Sequence, residues 1–133
     1  MKAIVALVAL LAAAQAPPQV GPGKVSMREF KRLAAAQKIL IVDTRSAEQF
    51  REGHIPRAMS LPFNASPAEY DATVETLKRA TKPIVLYCAC RGETQSIEAA
   101  DMLSEKGVKD ARVLVGGWNV WFNDGNRISK GPR

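Results

Sequence analysis

The chain has 133 residues, 47% of them hydrophobic and 24% charged, which is one ordinary globular domain and not a disordered or low-complexity polymer. No apolar run approaches the roughly 20 residues of a membrane-spanning helix. Cys88 and Cys90 are the two cysteines and His54 the one histidine, too few for a disulfide framework or a four-ligand zinc site. The formal charge of +6 favours anionic partners in a general way, but the basic residues are scattered and carry no nucleic-acid signature.

Lys2 followed by the apolar run Ala3 to Ala14 and the small-x-small triplet Ala14-Gln15-Ala16 reads as a secretory signal over residues 1–16. The alternative is an uncleaved anchor. After signal removal no stable membrane span is expected, and the protein would be exported, to the periplasm or the medium. Residues 17–24, rich in Pro and Gly, read as a linker, 25–125 as the folded domain and 126–133 as a tail.

Ser26-Met27-Arg28-Glu29 fits a capping box and predicts a helix to about Gln37. Ile39 to Val42 is a wholly apolar, β-branched run, as in a parallel strand buried on both faces. Ser46-Ala47-Glu48-Gln49 opens a short helix ending near Gly53, and Ala58 to Leu61 fits a short strand. Ser66-Pro67-Ala68-Glu69 starts a third helix, with Tyr70, Val74 and Leu77 on its apolar face. Ile84 to Tyr87 is a second doubly buried strand. An amphipathic helix over Ser96 to Lys106, a last strand over Ala111 to Val115 and a short helix carrying Trp118 and Trp121 follow. Alternating helices and apolar strands specify an α/β domain: a mostly parallel central sheet flanked by helices on both faces.

Ligands of such sheets bind outside the carboxyl ends of the strands, and Cys88 and Cys90 stand at one. The loop Arg91-Gly92-Glu93-Thr94-Gln95 then runs into a helix N-terminus. Unpaired amides, the helix dipole and the Arg91 charge together favour thiolate over thiol. A thiolate ringed by donors is a nucleophile beside a site for an anion. The competing reading is a small buried hydrophobe at a strand end.

Asp43-Thr44-Arg45, Phe50 and Gly53-His54-Ile55-Pro56-Arg57-Ala58 resemble the D-x-R…F…G-H-I-P-G-A signature of the rhodanese family. Tyr87-Cys88, Ser96-Ile97-Glu98-Ala99-Ala100, Leu103, Gly107 and Leu114-Val115-Gly116-Gly117…Trp121 are similar to the rest of its pattern, in the correct order over about residues 25–125. The resemblance implies a rhodanese-like fold and sulfurtransferase chemistry. A cysteine thiolate takes the outer sulfur of thiosulfate or of a persulfide donor, and the resulting persulfide passes it to a thiophilic acceptor. No cofactor and no metal are implied. Asp43, Arg45 and His54 are then structural supports. Trp118 and Trp121 read as core and rim aromatics, with the site mouth an alternative for Trp118, which follows Gly-Gly.

The loop departs from the pattern. Counting back six residues from Ser96 gives Cys90; counting from the strand, with Tyr87 before and Pro83 five before, gives Cys88. Cys88 is preferred as nucleophile, with Cys90 the alternative, because the longer loop leaves more amides around it. Ala89, Cys90, Arg91, Gly92, Glu93 and Thr94 are the expected anion-holding residues. Six residues after either cysteine stands Thr94 or Ser96 and not arginine, so no bidentate clamp for phosphate or arsenate exists. Glu93 repels dianionic thiosulfate and favours a persulfide-bearing thiol as donor; its other role is to complement the helix dipole. In Cys-x-Cys a turn at Ala89 would bring the sulfurs together as a readily reduced bridge, so Cys90 is a candidate to resolve a persulfide or to switch the site off. Arg57 replaces the family's glycine and either attracts anions to the site or is solvated. Two other function classes remain: an inactive rhodanese-like module that binds a protein partner, and a Cys-x-Cys thiol–disulfide oxidoreductase.

Overall fold

The computed structural model describes residues 21–132; the expected signal at 1–16 lies outside them. The elements in chain order are β1 (Lys24–Val25), α1 (Met27–Ala35), β2 (Leu40–Asp43), α2 (Ala47–Glu52), β3 (Met59–Ser60), α3 (Pro67–Lys78), β4 (Ile84–Tyr87), a single 3-10 turn (Arg91–Glu93), α4 (Thr94–Glu105), β5 (Ala111–Leu114) and α5 (Gly117–Asn123). Five parallel strands lie in the order β1-β5-β4-β2-β3. Among the described residues no helix is long and apolar enough to cross a membrane.

Side chains alternate across this sheet and both faces are covered, which is why the central strands are apolar throughout. Ile41, Val85, Tyr87 and Leu114 face α1, α2, the turn after α2 and α5 through Phe30, Phe50, Ile55 and Trp121. Val42, Ile84, Leu86 and Val113 face α3 and α4 through Val74, Leu77, Ala100 and Leu103. Helix starts follow the sequence closely. The side chains of Ser46 and Ser66 accept from the Gln49 and Glu69 amides, and both capping boxes close. At α1 the Ser26 hydroxyl accepts from the Glu29 amide.

Ordered structure extends past both expected ends of the folded domain. Lys24, placed in the linker, is the first residue of β1, whose pairing with Val113 and Leu114 of β5 depends on a partner far along the chain. Residues after α5, placed in a tail, are tied down: Ser129 exchanges both backbone hydrogen bonds with His54 at 2.9 Å, and Ile128 packs on the core. Such long-range pairings leave no local pattern.

Ile55 to Ala58 forms a turn closed by the Ala58 amide on the Ile55 carbonyl at 3.0 Å, with Pro56 second and Arg57 third. Arg57 has φ 69°, the conformation that a type II turn gives to glycine. Arg57→Gly is expected to raise stability by about 0.5–1 kcal/mol, the relief of a left-handed side chain less the extra freedom of glycine in the unfolded chain. A denaturation midpoint that rises at constant slope checks this; a fall would show that the arginine side chain is worth more than the strain.

Candidate active site: a cysteine loop at the sheet's switch point

From β2 the chain turns outward to β3, and from β4 it turns the other way to β5, so the ends of β2 and β4 flank the switch point where α/β sheets bind ligands. Asp43 pairs with Tyr87 there, and Cys88 is the next residue of the β4 strand end. The three carbonyls that follow are each held by another element. The Tyr87 carbonyl accepts from the Thr44 amide at 3.0 Å and the Thr44 hydroxyl at 3.1 Å. The Cys88 carbonyl accepts from the Trp118 amide at 2.9 Å, and the Ala89 carbonyl from the Asn119 side chain at 3.3 Å. Cys88 is therefore fixed to the sheet and to α5 at once.

The sulfurs of Cys88 and Cys90 are joined as a disulfide across Ala89, with Cα atoms 5.7 Å apart. Cys88 is only 2% exposed, and Cys90 lies over it, half-buried. Beyond Cys90, Gly92 (φ 66°) and Glu93 (φ 57°) are successive left-handed residues that reverse the chain into α4. The Gln95 amide, in the first turn of α4, donates to Cys90 Sγ at 3.4 Å.

Beside the expected anion-holding residues Ala89 to Thr94, the structure adds a further amide. The amide that reaches a sulfur is that of Gln95, one residue past that range, and it meets Cys90 and not Cys88. The reason is the helix start: α4 begins at Thr94, two residues before the predicted Ser96, so its free amides come earlier. Thr94 turns its hydroxyl to the Arg91 carbonyl at 3.3 Å, and Arg91 and Gly92 are exposed at the loop tip. Glu93 makes no side-chain cap on α4. Its carboxylate instead accepts from the Gly116 amide at 2.9 Å, lashing the cysteine loop to the β5–α5 turn. Gly117, φ 48°, packs so close to Cys88 that a Cβ there would overlap the Cys88 carbonyl oxygen. Thr44, Gln95, Gly116, Gly117 and Asn119 are the site-shaping residues not singled out for this task from sequence. The Gly116-Gly117 pair was visible as a turn, but its contact with the cysteine strand was not.

The supports are buried beneath. The Asp43 carboxylate accepts from the Arg45 backbone amide at 2.9 Å, from Arg45 Nη2 at 2.7 Å and from the Tyr87 hydroxyl at 2.6 Å. Burial and the neighbouring Asp43 carboxylate hold the Tyr87 phenol far above its usual range, so it stays a proton donor. Arg45 also donates to the Gly53 carbonyl at 2.6 Å and lies 4.0 Å over the Trp118 ring. Trp118 is thereby committed to Arg45, and it serves the cysteine strand through its backbone amide. His54 stacks on Phe50 at 3.8 Å and its Nδ1 donates to the Phe50 carbonyl at 2.8 Å, a buried turn brace. Arg57 is exposed and lines a separate cavity of about 620 Å³ with Lys31, Trp121 and Arg127, apart from the cysteine loop.

The Rhodanese-like domain family matches residues 26–124. The thiosulfate sulfurtransferase GlpE of Coxiella burnetii is 31% identical over 98 residues, covering 74% of this chain and 85% of that protein. The maize adenylyltransferase and sulfurtransferase MOCS3-2 is 29% identical over 102 residues, 76% of this chain; the chain spans 21% of that relative's length. Among solved structures, the BH2092 protein of Bacillus halodurans superimposes with a TM-score of 0.67 at 24% identity, covering 83% of this chain and 78% of its own. The human single-domain sulfurtransferase TSTD1 does so at 0.59 and 24%, covering 80% of this chain and 100% of its own. Motif order, sheet topology and the match over most of the chain agree: this chain belongs to the rhodanese-like family.

Proposed function

We propose that the protein is a sulfurtransferase that carries a sulfane sulfur as a persulfide on Cys88. The observation that carries this reading is the position of Cys88, directly after β4 at the switch point, with the carbonyls on both sides and its own held by hydrogen bonds to Thr44, Asn119 and Trp118. A nucleophile on a rigid strand end is held more precisely than one on a loop. Cys90, two residues out and half-buried, is its disulfide partner.

The reaction starts from the dithiol. The Cys88 thiolate attacks the outer sulfur of the donor; the new S–S bond forms as the donor's own S–S bond breaks, and sulfite or a thiol leaves with the electron pair. A thiophile then takes the outer sulfur. Glu93 keeps a carboxylate beside the loop, which disfavours dianionic thiosulfate and suits a persulfide-bearing thiol. Export through residues 1–16 would place this chemistry outside the cytoplasm. The disulfide favours one second reading, a Cys-x-Cys oxidoreductase, which exchanges electrons but gains no sulfur.

The test uses dithiol-reduced, desalted protein with thiosulfate and, separately, with glutathione persulfide. Wild type and Cys90→Ser are expected to release sulfite from the first and glutathione from the second, in stoichiometric amount, and Cys88→Ser neither. Release retained by Cys88→Ser and lost by Cys90→Ser would move the nucleophile to Cys90. Release by none of the three would leave a binding module or an oxidoreductase, separated by partner capture in the doubly serine-substituted chain.

A further inference from the structure

We infer that Cys90 is a built-in resolving thiol, so that the sulfur accepted by Cys88 leaves as hydrosulfide and the chain finishes each turnover as the Cys88–Cys90 disulfide. This rests on the sulfurtransferase reading and names its acceptor: the chain itself, reset by a dithiol reductant.

Three observations converge on it. First, the two sulfurs are already in bonding contact in the folded loop, with Cα atoms 5.7 Å apart, so resolution needs no refolding. Second, the conformation that brings them together is held from outside the loop. Asn119 holds the Ala89 carbonyl, Trp118 holds the Cys88 carbonyl, and Glu93 ties the far arm to Gly116. Third, the Gln95 amide at the N-terminus of the 12-residue helix α4 points at Cys90 Sγ, 3.4 Å away, a donor placed to stabilise the attacking thiolate. A thiol two residues away attacks intramolecularly, and an external acceptor has to compete with it.

The step balances. The Cys90 thiolate attacks Cys88 Sγ in Cys88–S–SH. The Sγ–Sγ bond forms, and the bond from Cys88 Sγ to the outer sulfur breaks. The outer sulfur departs as HS⁻ with the electron pair and its own proton. The sulfane sulfur is reduced by two electrons and the two cysteine sulfurs are jointly oxidised. An external dithiol then reduces the disulfide by two exchanges and is itself oxidised to its disulfide. The net reaction converts a sulfane donor and a dithiol into the donor's leaving group, hydrosulfide and an oxidised dithiol.

A single-turnover experiment tests this. Reduced, desalted wild type, Cys90→Ser and Cys90→Ala are mixed with thiosulfate or glutathione persulfide. Sulfide, free thiols and intact mass are followed, and far-UV dichroism checks that each chain is folded. Wild type is expected to release sulfide, lose both thiols and return to its own mass less two hydrogens. Both Cys90 variants are expected to stop at the persulfide, one sulfur heavier, with sulfide at least about tenfold lower, the advantage of a tethered nucleophile. A wild type that keeps its extra sulfur as stably as the variants would overturn the resolving role and leave the sulfurtransferase reading intact. Failure of all three to release sulfite or glutathione, or to gain sulfur, would sink both.

Discussion

Replacing Asp43 by alanine is expected to destabilise the protein by about 3–5 kcal/mol, the cost of leaving one member of a buried ion pair without the other. Asp43 is fully buried and Arg45 is 4% exposed, so water cannot take the carboxylate's place. The loss spreads through one network: Arg45 keeps the Gly53 carbonyl and the Trp118 ring but not its counter-charge, and the Tyr87 hydroxyl loses its acceptor. Tyr87 still donates no bond elsewhere while its oxygen accepts from the Ile55 amide at 3.0 Å. Chemical denaturation with the disulfide intact measures the change. The double variant Asp43→Ala/Arg45→Met is expected to recover part of it, because removing both charges removes the unpaired one. A loss below about 1 kcal/mol, the level of a solvated pair, would show that the network is not desolvated.

The second large effect is on activity. Gly117→Ala is expected to slow sulfur transfer about a hundredfold, the scale set by displacing a reacting group by about 1 Å. The new methyl would overlap the Cys88 carbonyl oxygen, a backbone atom that no rotamer can move aside, so the end of β4 or the start of α5 must shift. The bond from the Trp118 amide to that carbonyl would go with it. Gly116→Ala is the comparison. It is left-handed too, at φ 84°, but its Cβ would meet Val120 Cγ2 at 2.6 Å and Cβ at 3.0 Å, a partly exposed side chain of α5 and not the Cys88 backbone. Its cost falls on stability, about 1–2 kcal/mol, with a smaller change in rate. Single-turnover release of sulfite from thiosulfate compares the two. Equal loss of rate would mean that general disorder of the turn, and not the contact with Cys88, governs the site.

These two effects share one design. The cysteine strand end is braced from below by Asp43, Arg45 and Tyr87, and from the side by the Gly116-Gly117 turn. Neither brace reacts. Both hold Cys88 in place within reach of Cys90, which is what a sulfur-accepting thiol with a tethered partner requires.

Local chemistry in the chain determined a great deal. Serine caps at 26, 46 and 66 start helices because their side chains meet amides three residues on. The apolar runs at Ile39 and Ile84 become central strands because a parallel sheet covered on both faces leaves no polar side. The position of the cysteines at a strand end was legible in the same way, and the D-x-R triplet and the turn at His54 through their resemblance to the rhodanese family pattern. Tertiary structure decided the rest. The register of Asp43 against Tyr87, the pairing of Lys24 with Val113, the bridge from His54 to Ser129, the grip of Gly116 on Glu93 and the approach of Gly117 to Cys88 all join residues distant in the chain. Such contacts exist only once loop-closure entropy has been met by burial of the whole core, so no window of sequence contains them. The same holds for the choice of Gln95 as the amide that reaches a sulfur, which was settled by where α4 packs and begins.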